Sequence, residues 1–237
     1  MPYFYFFDWT YIIILPALIL SVWASARVNS VYKKNSKIMS RRGITAAMAC
    51  RQVLDRNGLY HINIECIRGN LTDHYDPRAN VIRLSETVYN STSAAAIGIA
   101  CHEAGHAVQH AEKYLPIRIR QAIIPLTNIG STLGILIFFV GVIMSAFAEQ
   151  YIIIGYIGIA LFSLTAVFQL VTLPTEFNAS KRALVAIKEG GILYEDEIGY
   201  AEEVLKAAAL TYVAALASSL SQILRLFLIL GRTNRRR

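Results

Sequence analysis

Four stretches of the chain, 9–26, 121–148, 150–175 and 207–224, contain no Asp, Glu, Lys or Arg. Each is long enough to cross a hydrocarbon core of roughly 30 Å as a helix. The second and third are separated by Glu149 alone, so they predict a tight helical hairpin. Pro174, near the end of the third, predicts a kink or a restart of the helix. The fourth is rich in Ala, carries Thr211, Ser218, Ser219, Ser221 and Gln222, and resumes its apolar run past Arg225 at 226–230. It reads as a full crossing, a re-entrant segment or a helix packed at the interface.

Between the first two stretches the period changes to that of a small α/β unit. Ala46, Ala49, Val53 and Leu54 recur at helical spacing within 45–57, and Gly58 follows as a terminator. Residues 60–67 alternate as a strand with Ile62, Ile64 and Cys66 on one face. Residues 73–77 carry turn chemistry, and 80–85 predict a second strand. Ser91 or Thr92 is placed to cap a helix that runs through 94–100 into His102. That helix is small and apolar on every side ahead of His102, which predicts burial.

Composition agrees with a membrane protein. Hydrophobic residues make up 55% of the 237 residues and charged residues 16%, against about 25% charged in soluble domains. Mean hydropathy is +0.43. This excludes a disordered chain and argues against a soluble enzyme with a single core. The formal charge is +7, which read alone would suggest nucleic acid. The cations instead flank the apolar runs. Arg27, Lys33, Lys34, Lys37, Arg41 and Arg42 follow the first, whereas Asp8 precedes it. Lys113, Arg118 and Arg120 precede the hairpin, and Lys181 and Arg182 follow it. The positive-inside rule then sets the N-terminus outside and the 27–120 segment in the cytosol. Only the C-terminal Arg232, Arg235, Arg236 and Arg237 resist this orientation if the fourth stretch crosses. Cys50, Cys66 and Cys101 are odd in number and form no CxxC, so they read as reduced thiols.

The candidate chemistry lies in His102-Glu103-Ala104-Gly105-His106. Two histidines four residues apart on a helix share one face and can reach one zinc ion. Glu103, beside that face, can take a proton from the water held by the metal and return it to the leaving amine. Gly105 lets another backbone approach the helix. A catalytic zinc needs a third protein ligand. His110 shares the face but lies about 12 Å from His102 along the axis, and Glu112 points off it. Glu176 is the better candidate, at the same membrane level by the topology above. Glu189, Glu195, Glu197, Glu202 and Glu203 lie in a charged, solvated stretch and rank lower. Tyr75, His74, Tyr212 and Arg182 are candidates to stabilise the transition state. Strand 80–85 could bind substrate by edge addition.

His102-Glu103-Ala104-Gly105-His106, a two-span hairpin and then Glu176-Phe177-Asn178-Ala179-Ser180 resemble the gluzincin membrane proteases, distantly the HtpX-like group. Leu71-Thr72-Asp73-His74-Tyr75-Asp76-Pro77, Arg83-Leu84-Ser85, Leu170-Val171-Thr172-Leu173-Pro174 and Ala209-Leu210-Thr211-Tyr212-Val213 are similar to the YugP family of bacterial zinc-dependent membrane proteases. The similarity covers nearly the whole chain. It implies His102 and His106 as ligands, Glu103 as general base and Glu176 as third ligand, with one Zn2+ per chain. The HtpX-like group has an Asp four residues after the third ligand, where this chain has Ser180, so Ser180 or Asn178 must orient the ligands if anything does.

The expectation is a mainly α membrane protein with three to four transmembrane helices and a small cytosolic α/β gluzincin-like zinc metallopeptidase core. Its parts are an anchor (1–26), the cytosolic segment with the zinc helix (27–120), the hairpin (121–175), a cytosolic helical segment with the third ligand (176–206) and a C-terminal membrane or re-entrant helix (207–237). The expected activity is a zinc metalloendopeptidase of the bacterial plasma membrane, with its active site on the cytosolic face. The partners are the lipid bilayer and membrane or membrane-proximal protein or peptide substrates, not nucleic acid. A homo-oligomer or a regulatory membrane partner stays open. The alternatives are a membrane scaffold or chaperone-like protein with a structural zinc, which wants a fourth ligand, and a small transporter, against which the few ionisable groups in the spans speak.

Overall fold

A computed structural model of the chain describes residues 9–235. Asp8, Arg236 and Arg237, used above for orientation, lie outside the described residues. After a short 3-10 helix at Trp9–Ile13 the elements are α1 (Leu15–Asn35), α2 (Ala46–Arg56), β1 (Asn63–Ile67), β2 (His74–Asp76), β3 (Val81–Ser85) and α3 (Glu86–Tyr89). They continue with α4 (Ala94–Ala111), α5 (Leu115–Ser145), α6 (Ile152–Phe162), α7 (Leu164–Glu189) and α8 (Glu195–Arg235). They form two compact units. An α/β unit takes Ala24–Arg118 and Leu173–Leu210, and a helical unit takes Met1–Trp23, Ile119–Thr172 and Thr211–Arg237.

In the α/β unit, Thr45 caps α2 by accepting from the Met48 amide, and Gly58 takes the left-handed φ of +70° that ends it. α4 is capped by Ser93, which accepts from the Ala96 amide. Ser91 and Thr92, the expected caps, are occupied instead: the Ser91 hydroxyl accepts from the Ser93 amide, and Thr92 donates to the Met39 sulfur. The sheet has the order β1-β3-β2, with β1 parallel and β2 antiparallel to β3. The turn expected at 73–77 falls later, because Asp76 accepts from the Arg78 and Ala79 amides and closes the chain there. Residues 74–76 are thereby free to pair as β2. Asp73 anchors the other end by accepting from the Ser85 amide. The strand expected to take substrate at its edge is β3, and both its edges are paired, so the free edges belong to β1 and β2. The expected apolar face of the first strand is only partly buried: Ile62 is enclosed, but Cys66 is exposed. The core is built where α2 and α4 pack on the sheet, around Ala49, Cys50, Leu54, Ile82, Leu84 and Ile97.

α4 is buried on nearly every side, and its small residues bring neighbours close. A Cβ at Gly98 would lie 2.9 Å from the Ala201 Cβ on α8, and one at Gly105 would lie 2.8 Å from the Ala179 carbonyl oxygen on α7. Pro174 lies inside α7 without breaking it. The helix is held past Pro174 by this packing on α4. The interruption falls instead at Ser163, where the Ser163 and Thr165 hydroxyls satisfy the Ile159 and Phe162 carbonyls.

In the helical unit, α5 and α6 meet through glycines. A Cβ at Gly158 would stand 2.4 Å from the Phe138 amide nitrogen, and one at Gly141 2.2 Å from that of Gly155. Such contacts are how apolar helices gain dispersion energy where lipid offers no hydrophobic drive. Phe138, Ile159, Phe162, Leu226 and Leu230 form the unit's core. Leu126, Ile129, Leu133, Leu136 and Ile143 stay exposed on α5, as a lipid-facing surface requires. Among the described residues, three helical segments are long and apolar enough to cross a membrane: Leu115–Ser145, Glu149–Glu189 and Glu195–Thr233. The N-terminal stretch does not qualify, because its uncharged run is divided between the 3-10 helix and α1, and α1 runs into Arg27, Lys33 and Lys34. The weak fourth stretch does qualify, because α8 joins it without a break to the apolar residues beyond Arg225.

Substituting Val at Gly158 should force α5 and α6 apart and cost about 1–3 kcal/mol. A lower thermal midpoint in detergent is expected, and an unchanged midpoint would refute this packing.

Candidate metal centre

His102 and His106 stand one turn apart on α4, with ring centroids 4.7 Å apart and rings nearly perpendicular. α7 brings Glu176 against both. Its Oε2 lies 3.3 Å from His102 Nε2 and 3.4 Å from His106 Nε2, and these side chains are only 4–13% exposed. The three ligand atoms all lie within 4.8 Å of one another. Ligands of a tetrahedral zinc at about 2.0–2.1 Å sit about 3.3–3.4 Å from each other. The two Nε2–Oε2 separations fit that edge and are longer than the usual 2.9–3.0 Å of an N–H···O hydrogen bond. Two imidazoles and a carboxylate are also the donor set that zinc takes when it keeps an open position.

The outer nitrogens are held as such a site needs. His102 Nδ1 lies 3.1 Å from Ser180 Oγ. His106 Nδ1 lies 3.0 Å from Gln109 Oε1, and the Gln109 amide donates to the Thr175 carbonyl at 2.8 Å and to Asn178 Oδ1 at 2.9 Å. Arg182 Nε donates to the same Asn178 oxygen at 2.7 Å. Arginine only donates, so Asn178 must present its oxygen and Gln109 its NH2 to Asn178. Gln109 is left with an oxygen for His106, whose Nδ1 therefore carries the proton. Nε2 is the nitrogen turned to Glu176. Burial disfavours a charged His106, but the Glu176 carboxylate and the nearby Glu103 outweigh it and raise its pKa above the ordinary value in the metal-free protein. A metal at that nitrogen must displace the proton.

Glu103 is buried, 8% exposed, on the neighbouring face of α4. His110 lies further along α4 with the Tyr75 ring edge-on at 6.0 Å. His74 is exposed, its Nδ1 against the Thr72 carbonyl. Arg182 also donates to Glu112 at 2.7 Å, so its contacts lead to His106 through Asn178 and Gln109. Tyr212 belongs to the helical unit. Cys101, next to His102, is fully buried, and burial pushes its thiol up to about 12. Glu197 is not solvated as its neighbourhood in sequence suggested. It is 4% exposed and accepts from the Arg41 and Tyr194 amides.

A family model described as "Putative neutral zinc metallopeptidase" matches residues 10–231. The chain belongs to this family. It is also 46% identical over 215 residues, 91% of this chain and 93% of the relative, to the "Putative membrane protease YugP" of Bacillus subtilis (strain 168). No solved structure matches the chain.

For a zinc metallopeptidase, the residue missed by sequence reasoning is Gln109, which is fully buried. Its signal was a lone amide in the buried helix, three residues after His106, a spacing that puts it beside the imidazole. Replacing it by Leu keeps the volume but removes the acceptor for His106 Nδ1–H. Zinc affinity, measured by chelator competition, should fall about 10–100-fold. An affinity within twofold of wild type would show that Gln109 is not holding the ligand.

Proposed function

We propose that the chain is a membrane zinc metalloendopeptidase that hydrolyses peptide bonds of membrane or membrane-proximal proteins, with His102, His106 and Glu176 as metal ligands and Glu103 as general base. The observation that carries the reading is the fixed polarity of the chain Arg182–Asn178–Gln109–His106, which holds the Nδ1 proton outward and turns Nε2 to the Glu176 carboxylate at a separation that suits two ligands of one zinc ion. When bound, zinc supplies a Lewis acid for the scissile carbonyl and for a water. The Glu103 carboxylate takes the proton of the attacking water and delivers it to the amide nitrogen as the C–N bond breaks. Its burial keeps bulk water from competing for that proton. Ser180 and Gln109 hold the two imidazoles in register while charge builds. Tyr75, on β2 against α4, is the candidate within the α/β unit to stabilise the carbonyl oxygen.

We place the site at the cytosolic face of a bacterial plasma membrane, with the N-terminus outside, on the clustering of Arg118, Arg120, Lys181 and Arg182 at the feet of the hairpin. The division into anchor, cytosolic segments, hairpin and C-terminal membrane helix is part of the same proposal. A structural zinc in a scaffold protein would call for a fourth ligand. Among the described residues the cluster has three members, which supports the enzyme.

Glu103→Gln should retain one zinc per chain and lose about 10²–10⁴-fold in peptide-hydrolysis rate, read with purified protein and a quenched membrane-anchored peptide. Cleavage at the wild-type rate would remove Glu103 from the mechanism.

A further inference from the structure

A concavity of about 440 Å³ lies within the α/β unit between α2, α4 and α7. α4 contributes Gly105 and Val108, the end of α2 contributes Arg56, and α7 contributes Asn178, Lys181 and Arg182. A helix advances about 100° per residue. Glu103 therefore stands on one side of the His102–His106 line, and Gly105 and Val108 on the other. This cavity is behind the metal ligands, away from the face where Glu103 would meet a peptide carbonyl.

Its charge is one-sided. Arg56, Lys181 and Arg182 face a single acid, Glu189. Arg56 gives one N–H to the Gly190 carbonyl, and among the described residues neither Arg56 nor Lys181 makes an ion pair. Arg182 commits Nε to Asn178 and one Nη to Glu112, leaving other N–H groups of its fork. Buried Val53 and Val108 supply an apolar wall beside these cations. The uncharged run of α7 ends at Thr175, so Lys181 and Arg182 follow about 10 Å further along the helix axis. Headgroup layers extend about 5–8 Å beyond the hydrocarbon on each side, within reach of these long side chains.

We propose that this cavity binds a phosphate group presented by the headgroup of an anionic phospholipid, held jointly by Arg56, Lys181 and Arg182. A phosphate there engages the first donor of the chain that ends at His106 Nδ1, so occupancy steadies a metal ligand from behind. This coupling rests on the metallopeptidase reading, whereas the binding does not.

The test uses the full-length, zinc-loaded protein in neutral detergent, titrated with phosphatidylglycerol, phosphatidylcholine or inorganic phosphate. Native mass spectrometry counts lipid adducts, and the thermal midpoint reports binding of each probe. Phosphatidylglycerol should bind about tenfold more tightly than phosphatidylcholine. The preference should vanish in Arg56→Gln/Lys181→Gln and persist in Arg56→Lys/Lys181→Arg. Zinc content equal to wild type certifies that the Gln pair is folded; if it falls, Lys181→Gln alone, at an exposed side chain, serves in its place. Equal stabilisation by inorganic phosphate and by phosphatidylglycerol would overturn the lipid source and assign a free-phosphate site. No preference in the wild type, or a preference that survives the Gln variants, would overturn the site. Adducts are counted without substrate, so failure here leaves the peptidase reading standing, and lipid binding by an inactive protein would count against that reading alone.

Discussion

α4 and α7 touch backbone to backbone where the Ala179 carbonyl oxygen lies 2.8 Å from the place a Gly105 Cβ would occupy. No other side chain at 105 permits that approach, and the rest of the centre is built on it. One turn before Ala179, α7 offers Glu176 to both histidines. One residue after it, α7 offers Ser180 to His102. An ångström of extra separation would lengthen all of these contacts together, because they belong to two stiff helices.

The same contact makes the protonation pattern of the site a property of the fold. Glu112 holds Arg182, Arg182 orients Asn178, and Asn178 with the Thr175 carbonyl orients Gln109. The direction of donation is forced at each step by a group that can act in only one sense. The imidazole at the end is thus pre-set in the tautomer that a metal requires, and ligand orientation does not have to be achieved at the moment of binding. Close packing, pre-set tautomer and tetrahedral spacing are three aspects of one arrangement.

Local features were readable in advance. The four-residue spacing of His102 and His106 needs only a helix, and the small apolar run ahead of it announces a buried one. Gly105 was legible as a point of close approach, though its partner was not. Features decided by distant parts of the chain were not readable. Gln109 shows no role until Thr175 and Asn178 arrive from α7. Residues 80–85 look like any short strand, and only the pairing with both β1 and β2 makes them central. Pro174 carries the chemistry of a helix breaker, which the packing of α7 on α4 overrides. Glu197 sits in an acidic run, yet the amides of Arg41 and Tyr194 draw it inside.

The claim on which the account turns is that one zinc sits on two imidazoles and one carboxylate with a position left open. X-ray absorption at the zinc edge of the purified, full-length protein tests it directly. Two nitrogen ligands and oxygen ligands at about 2.0–2.1 Å, with no sulfur, are predicted. A sulfur shell at about 2.3 Å, a shell filled by four protein ligands, or a protein that takes up no zinc would contradict it.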